Sequence, residues 1–173
     1  MRLFLIACAL ALLAAPVLAA PVQISPATAT ADFQTKLDRD IGAKELAVLS
    51  DYARNRLTRE LTARGAQVGA PGGITISVVV RDATPNKPTF QQLMKKPGLS
   101  YGLSFGLGGA DLEATITNTA GVSQTVRYKW YETDISQSFA TWTWSDAHRA
   151  IRRFAVEVAK AYAAAPGAPA AQG

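Results

Sequence analysis

The chain has little of what most site chemistry requires. Of its 173 residues one is a cysteine, Cys8, and one a histidine, His148. A lone thiol excludes a disulfide framework within the chain, and one Cys with one His leaves too few soft ligands for zinc. No metal and no cofactor are therefore expected. Charge is also sparse: 18 basic and 13 acidic residues leave a net +5 that is spread along the sequence rather than gathered in a block. A nucleic-acid binder concentrates Lys and Arg on one face, so no nucleic-acid partner is expected. Weak attraction to anionic envelope surfaces is compatible with such a balance. Apolar residues, by contrast, make up 49%. That fills one core at this length and argues against wholesale disorder.

The N-terminus carries the strongest signal. Met1-Arg2 is a short positive start, Leu3 to Leu13 is apolar without a charge, and Ala14 to Ala20 supplies small residues. This is the pattern of a secretory signal peptide, with cleavage expected after Ala19. The run is shorter than the roughly 20 residues that span a bilayer. Leu5-Ile6-Ala7-Cys8 has the form of a lipobox, yet few residues precede it and the apolar run continues beyond it. Cleavage after Ala19 removes Arg2 and Cys8, leaving a mature chain of net charge +4 without a thiol. Thiol catalysis is then excluded. No later segment is apolar enough to cross a membrane, so the expected location is the periplasm, or outside the cell as the alternative.

After the leader (1–19), residues 20–42 read as a lead-in with a short strand at Val22-Gln23-Ile24, and 43–164 read as one domain. From 43 to 64, Leu46, Leu49, Ala53, Leu57 and Leu61 recur on one helical face. Ile74, Ile76, Val78 and Val80 alternate with mostly polar neighbours, as in a half-buried strand. Pro85, Pro88 and Pro97 mark a loop, with one helical turn around Phe90 to Met94. Leu99, Tyr101, Leu103, Phe105 and Leu107 then alternate with Gly and Ser. That period predicts a strand whose bare side admits a close neighbour, followed by a bulge at Gly108-Gly109 that shifts the parity. Leu112, Ala114 and Ile116, the turn Asn118 to Gly121, and Val126, Tyr128 and Trp130 predict an antiparallel hairpin. Phe139 to Trp144 reads as a short edge strand. Ser145 or Asp146 is expected to cap a last helix lined by Ala147, Ile151, Phe154, Val158 and Tyr162. The Ala/Gly/Pro tail, 165–173, is expected to be disordered. The expected fold is α+β: a two-layer sandwich of three to five antiparallel strands, with two amphipathic helices on one face.

Residue types able to do chemistry are few. Ser145, Asp146 and His148 include the members of a triad, but consecutive positions on one helical turn point in different directions. Asp111 and Glu113 share one strand face at roughly 7 Å, a separation that glycosidases use. The same pair is also ordinary on a solvated hairpin face, with Arg127 or Lys129 opposite. Aromatic residues give the better candidate: Trp142 and Trp144 would share one strand face, with Tyr101 and Arg149 beside them as binding residues.

The leader, the one-domain length, and Trp142-Thr143-Trp144-Ser145-Asp146-Ala147 running into Arg152-Arg153-Phe154-Ala155 resemble small uncharacterised periplasmic proteins of Gram-negative bacteria. The order helix, strand, hairpin, helix is also similar to auxiliary lipoproteins of envelope transport systems, from which the chain departs at its lipobox. The resemblance implies an envelope location and supplies no catalytic residue. The expected function is a non-catalytic binding or assembly module for an envelope protein or other envelope component, with a carboxylate hydrolase as the alternative.

Overall fold

The computed structural model describes residues 21–69, 72–138 and 141–164. The expected leader, the expected tail, and the Phe139-Ala140 part of the expected edge strand lie outside the described residues.

Strands β1 (Val22–Ile24) and β2 (Thr28–Ala29) precede helix α1 (Ala31–Lys36), which continues into a π-helical turn, Leu37–Ile41. Helix α2 (Glu45–Thr62), strand β3 (Ile74–Thr84) and the short helix α3 (Phe90–Lys95) follow. The hairpin of β4 (Gly109–Thr117) and β5 (Ser123–Tyr131) leads through a 3-10 turn, Ile135–Ser138, to helix α4 (Ser145–Ala164). The fold is α+β, with one five-stranded sheet in the order β1-β3-β4-β5 and β2 also on β3.

The sheet is mixed rather than wholly antiparallel. β1 and β2 run parallel to β3 along the same edge, because α1 and α2 carry the chain back between them. β3, β4 and β5 are antiparallel, in registers that place Ile76 opposite Ile116 and Leu112 opposite Tyr128.

Alternation along the strands decides the two faces. Ile74, Ile76, Val78 and Val80 of β3 and Ala110, Leu112, Ala114 and Ile116 of β4 are buried. They join Leu49, Ala53, Leu57 and Leu61 of α2 and Ala147, Ile151, Phe154, Val158 and Tyr162 of α4 in one core. Each large side chain removed from water in this way contributes about 1.5–3 kcal/mol. The other sheet face carries Thr75, Ser77, Glu113, Thr115 and Arg127, and no helix or strand among the described residues covers it.

Two local readings from the sequence are corrected. Residues 99–107 form a loop, not a strand. They pair with no strand of the sheet, although the outer edge of β5 has no neighbour among the described residues. Their backbone bonds locally instead: Ser104 N–H donates to the Ser100 carbonyl, and Gly106 N–H to the Asn86 carbonyl. At its glycines the bare side is open: a Cβ at Gly98, Gly102 or Gly106 would have no atom of the described residues within 4 Å. The break in register also lies elsewhere, in β3 between Val80 and Asp82 rather than at Gly108-Gly109. At the glycine pair the constraint is close approach: a Cβ on Gly108 would stand 2.6 Å from Asn86 Oδ1, and one on Gly109 2.4 Å from the Trp130 carbonyl oxygen.

The lead-in holds more structure than its composition suggests. Thr30 caps α1, accepting from Phe33 N–H, and Phe33, Leu37 and Ile41 are buried at intervals of four. That spacing was legible in the sequence, although the charges around it (Lys36 to Asp40) mask the periodicity.

Candidate functional site

One end of the molecule gathers the features that mark a working surface. Asn86, flanked by Pro85 and Pro88, is buried and is the hub of that end. Its backbone N–H donates to the Thr143 carbonyl at 2.7 Å, and its carbonyl accepts from Gly106 N–H at 2.8 Å. Its side-chain amide donates to the Gly106 carbonyl and to Asp146 Oδ2, and its Oδ1 accepts from Asp146 N–H at 2.9 Å. Asp146 is wholly buried at the start of α4, where Gly108 N–H also donates to Oδ2 at 3.2 Å. Arg149, one turn on, stands 3.4 Å from Asp146 Oδ1 and 2.9 Å from Glu132 Oε2. A buried carboxylate persists only with such partners. The clamp therefore joins three segments: the loop after β3, the end of the 99–107 loop, and the turn before α4.

What the clamp presents is apolar. Leu103 is 84% exposed, Phe90 76%, Trp142 75% and Met94 71%, and Leu99, Tyr101, Phe105 and Leu107 are exposed with them. Phe90 and Met94 lie one turn apart on α3. The opposite side of α3 is tied down: Gln92 donates to Asp40 Oδ2, Gln91 to the Asp38 carbonyl, and Thr89 Oγ1 to the Ile41 carbonyl. Thr89 and Gln92 form a capping box that starts this helix. The Tyr101 hydroxyl meets Thr143 Oγ1 at 3.4 Å, so the loop and the Trp142 turn adjoin. Lys87 Nζ lies 5.2 Å from the centre of the Tyr101 ring.

The four residues singled out from the sequence divide into two pairs. Trp142 and Tyr101 are on the exposed surface. Trp144 is only 4% exposed and does not share a face with Trp142, because 141–144 turn rather than extend; its indole N–H donates to Glu45 Oε2 at 2.7 Å. Arg149 belongs to the clamp and also stacks over Trp130, 5.5 Å from the ring centre. Sequence reading missed Asn86, Phe90 and Met94. The signal for Asn86 was a single short amide between two prolines; the apolar pair at i and i+4 reads equally well as core.

Ser145, Asp146 and His148 do not converge, and neither Ser145 nor Asp146 caps α4 in the usual sense. Ser145 Oγ accepts from Trp142 N–H, outside the helix, and Asp146 is held by Asn86. His148 stacks on Tyr52 of α2, with ring centres 3.7 Å apart. Burial, with the charges of Arg152 and Arg56, holds the His148 imidazole down at about 4. Burial pushes the Tyr52 phenol up, but hydrogen bonds donated by Arg152 and Arg56 outweigh it and leave the phenol below its usual range.

The His148 shift gives a stability prediction. The folded imidazole titrates below its unfolded value of about 6.5, so its contribution is complete above that pH and is lost as pH falls toward about 4. Because the ring is only partly buried, the loss is about 1–2 kcal/mol. Urea midpoints measured through this window should fall with pH, and His148→Phe, which keeps the stack, should flatten the slope. An unchanged slope would remove His148 as its source.

Asp111 and Glu113 share the open sheet face as expected, and each is engaged by a cation. Arg127 Nε lies 2.8 Å and Arg81 Nη1 3.3 Å from Glu113 Oε2, while Arg81 Nε is 3.9 Å from Asp111 Oδ2. Nearby, Asp82 accepts from Lys36 Nζ at 2.8 Å and from the Tyr131 hydroxyl at 2.7 Å. Burial and that carboxylate push the Tyr131 phenol far up. These contacts fasten α1 and the hairpin to β3. Among the described residues no group of three or more His, Cys, Asp or Glu side chains could hold a metal ion. No helix among them is long and apolar enough to cross a membrane.

No family model matches the chain, and no curated protein matches it significantly. Among solved structures, a PelC dodecamer from Paraburkholderia phytofirmans is similar at 10% sequence identity and a TM-score of 0.41, over 80% of this chain and 85% of that one. A likeness of that size assigns neither family nor activity.

Proposed function

We propose that this chain is an exported, non-catalytic binding module of the cell envelope, and that it works through the apolar end formed by α3, the 99–107 loop and Trp142. One observation carries the reading: large apolar side chains stand in solvent on segments that a buried polar clamp holds in place. Exposed apolar patches on a folded chain mark contact surfaces, because water-exposed Leu, Phe and Trp gain nothing for stability. The clamp supplies the order that a recognition surface needs, since ordering a free loop on binding costs about 0.5–1.5 kcal/mol per side chain. Export follows from the leader at residues 1–19. Within this reading Trp142 and Tyr101 make contact, while Trp144 and Arg149 support them from below.

The test is a pair of substitutions at exposed positions. Leu103→Asp with Trp142→Ser should lower association with a total envelope fraction by about tenfold or more. Unfolding free energy should stay within about 0.5 kcal/mol, as is usual for surface changes. Equal partitioning of native and variant chains would refute the assignment of this surface.

A further inference from the structure

Resting on that reading, we propose that the partner of the apolar end is a lipid surface, and that the chain docks on anionic bilayers by inserting Phe90, Met94, Leu103 and Trp142 into the headgroup region. Two observations point to a bilayer rather than a protein.

The first is charge. Between Asp82 and Asp111 the sequence contains Lys87, Lys95 and Lys96 and no carboxylate. Lys87 is stacked on Tyr101 and Lys95 donates to the Arg39 carbonyl, so neither is neutralised by a carboxylate among the described residues. Lys96 is paired with Asp40, and Asp38 adjoins the same helix through its carbonyl. Lys87 and Lys95 therefore leave unpaired positive charge beside the exposed apolar side chains. Such charge is drawn to negatively charged headgroups.

The second is composition. Leu103, Phe90, Trp142 and Met94 are the most exposed large apolar side chains, and Tyr101, beside Lys87, is less exposed and meets Thr143 through its hydroxyl. Apolar and aromatic side chains in water beside lysines match a membrane interface, where Trp and Tyr sit at headgroup level and lysine stems reach back to water.

The experiment is sedimentation of the full chain with vesicles of phosphatidylcholine alone, or with about one-third phosphatidylglycerol, at low and high salt. Native chain should bind the anionic vesicles about tenfold more tightly, and salt should erase the difference. Phe90→Asp with Leu103→Asp should lose at least about tenfold in binding. The apolar run at residues 3–13 is common to both chains and cancels in the comparison. Lys87→Glu with Lys95→Glu should remove only the preference for anionic lipid. Tryptophan emission should shift to the blue on vesicles, and Trp142→Phe should abolish that shift. Vesicle binding that survives Phe90→Asp with Leu103→Asp and leaves Trp142 emission unmoved would overturn the proposal. So would an absence of vesicle binding. If the envelope fraction still captures the chain through Leu103 and Trp142 in that case, or if those residues govern self-association by sedimentation equilibrium, the lipid partner falls and the binding reading stands. If neither occurs, both fall.

Discussion

Asn86→Ala should cost about 3 kcal/mol. The buried Asp146 carboxylate would keep only Gly108 N–H and the flank of Arg149. A hydrogen bond to a charged group contributes about 1.5–3 kcal/mol, and the Asn86 side chain makes two bonds to Asp146, one of them to its carboxylate. For a domain of this size the loss corresponds to a fall in melting temperature of about 6–12 °C. Amides of Gly106 and Gly108 should exchange with solvent faster than those of β4, because their acceptors are Asn86 and Asp146. Asp146→Asn tests the charge separately: it keeps the shape and removes the carboxylate that Arg149 faces. If Asn86→Ala left both stability and exchange unchanged, the clamp would not organise this end, and the proposed surface would lose its support.

Gly109→Ala should disrupt the start of the hairpin and cost about 1–3 kcal/mol or more. The added methyl would meet the Trp130 carbonyl oxygen at 2.4 Å and the Tyr131 Cα at 2.6 Å. Both are backbone atoms of the paired strand, so no rotamer change relieves the clash. The register Gly109↔Tyr131 would have to open, and the Tyr131–Asp82 hydrogen bond would weaken with it. Gly108→Ala should be milder, because its methyl would meet the Asn86 side chain rather than backbone. Denaturant midpoints of the two variants, measured side by side, decide the order. A Gly109→Ala chain as stable as the parent would show that β5 shifts freely at this point.

The two long helices and the hairpin were legible because their periodicity coincides with burial. Leu49, Ala53, Leu57 and Leu61 on α2 and Ile151, Phe154, Val158 and Tyr162 on α4 recur at helical spacing and are all in the core. Leu112, Ala114 and Ile116 alternate and face the same core. The identical alternation at Leu99 to Leu107 misled, because alternation alone does not supply a ladder: the segment's backbone bonds close on itself and on Asn86 instead. Trp142 and Trp144 misled for a related reason: a tight turn sends neighbouring side chains to opposite environments, one to water and one to Glu45.

Composition and pattern alone give the shortage of soft metal ligands, the α+β class and most core positions. These follow from local chain chemistry and from the arithmetic of burying apolar side chains. Which apolar residues stay in water is a different matter. Leu103, Phe90 and Trp142 look like core in one dimension, while the segments that carry them are tied by pairs far apart in the chain, Asn86 with Asp146 and Gln92 with Asp40. Long-range pairing of buried polar groups leaves no periodic trace, so the exposed apolar end of this protein emerges only when the chain is folded.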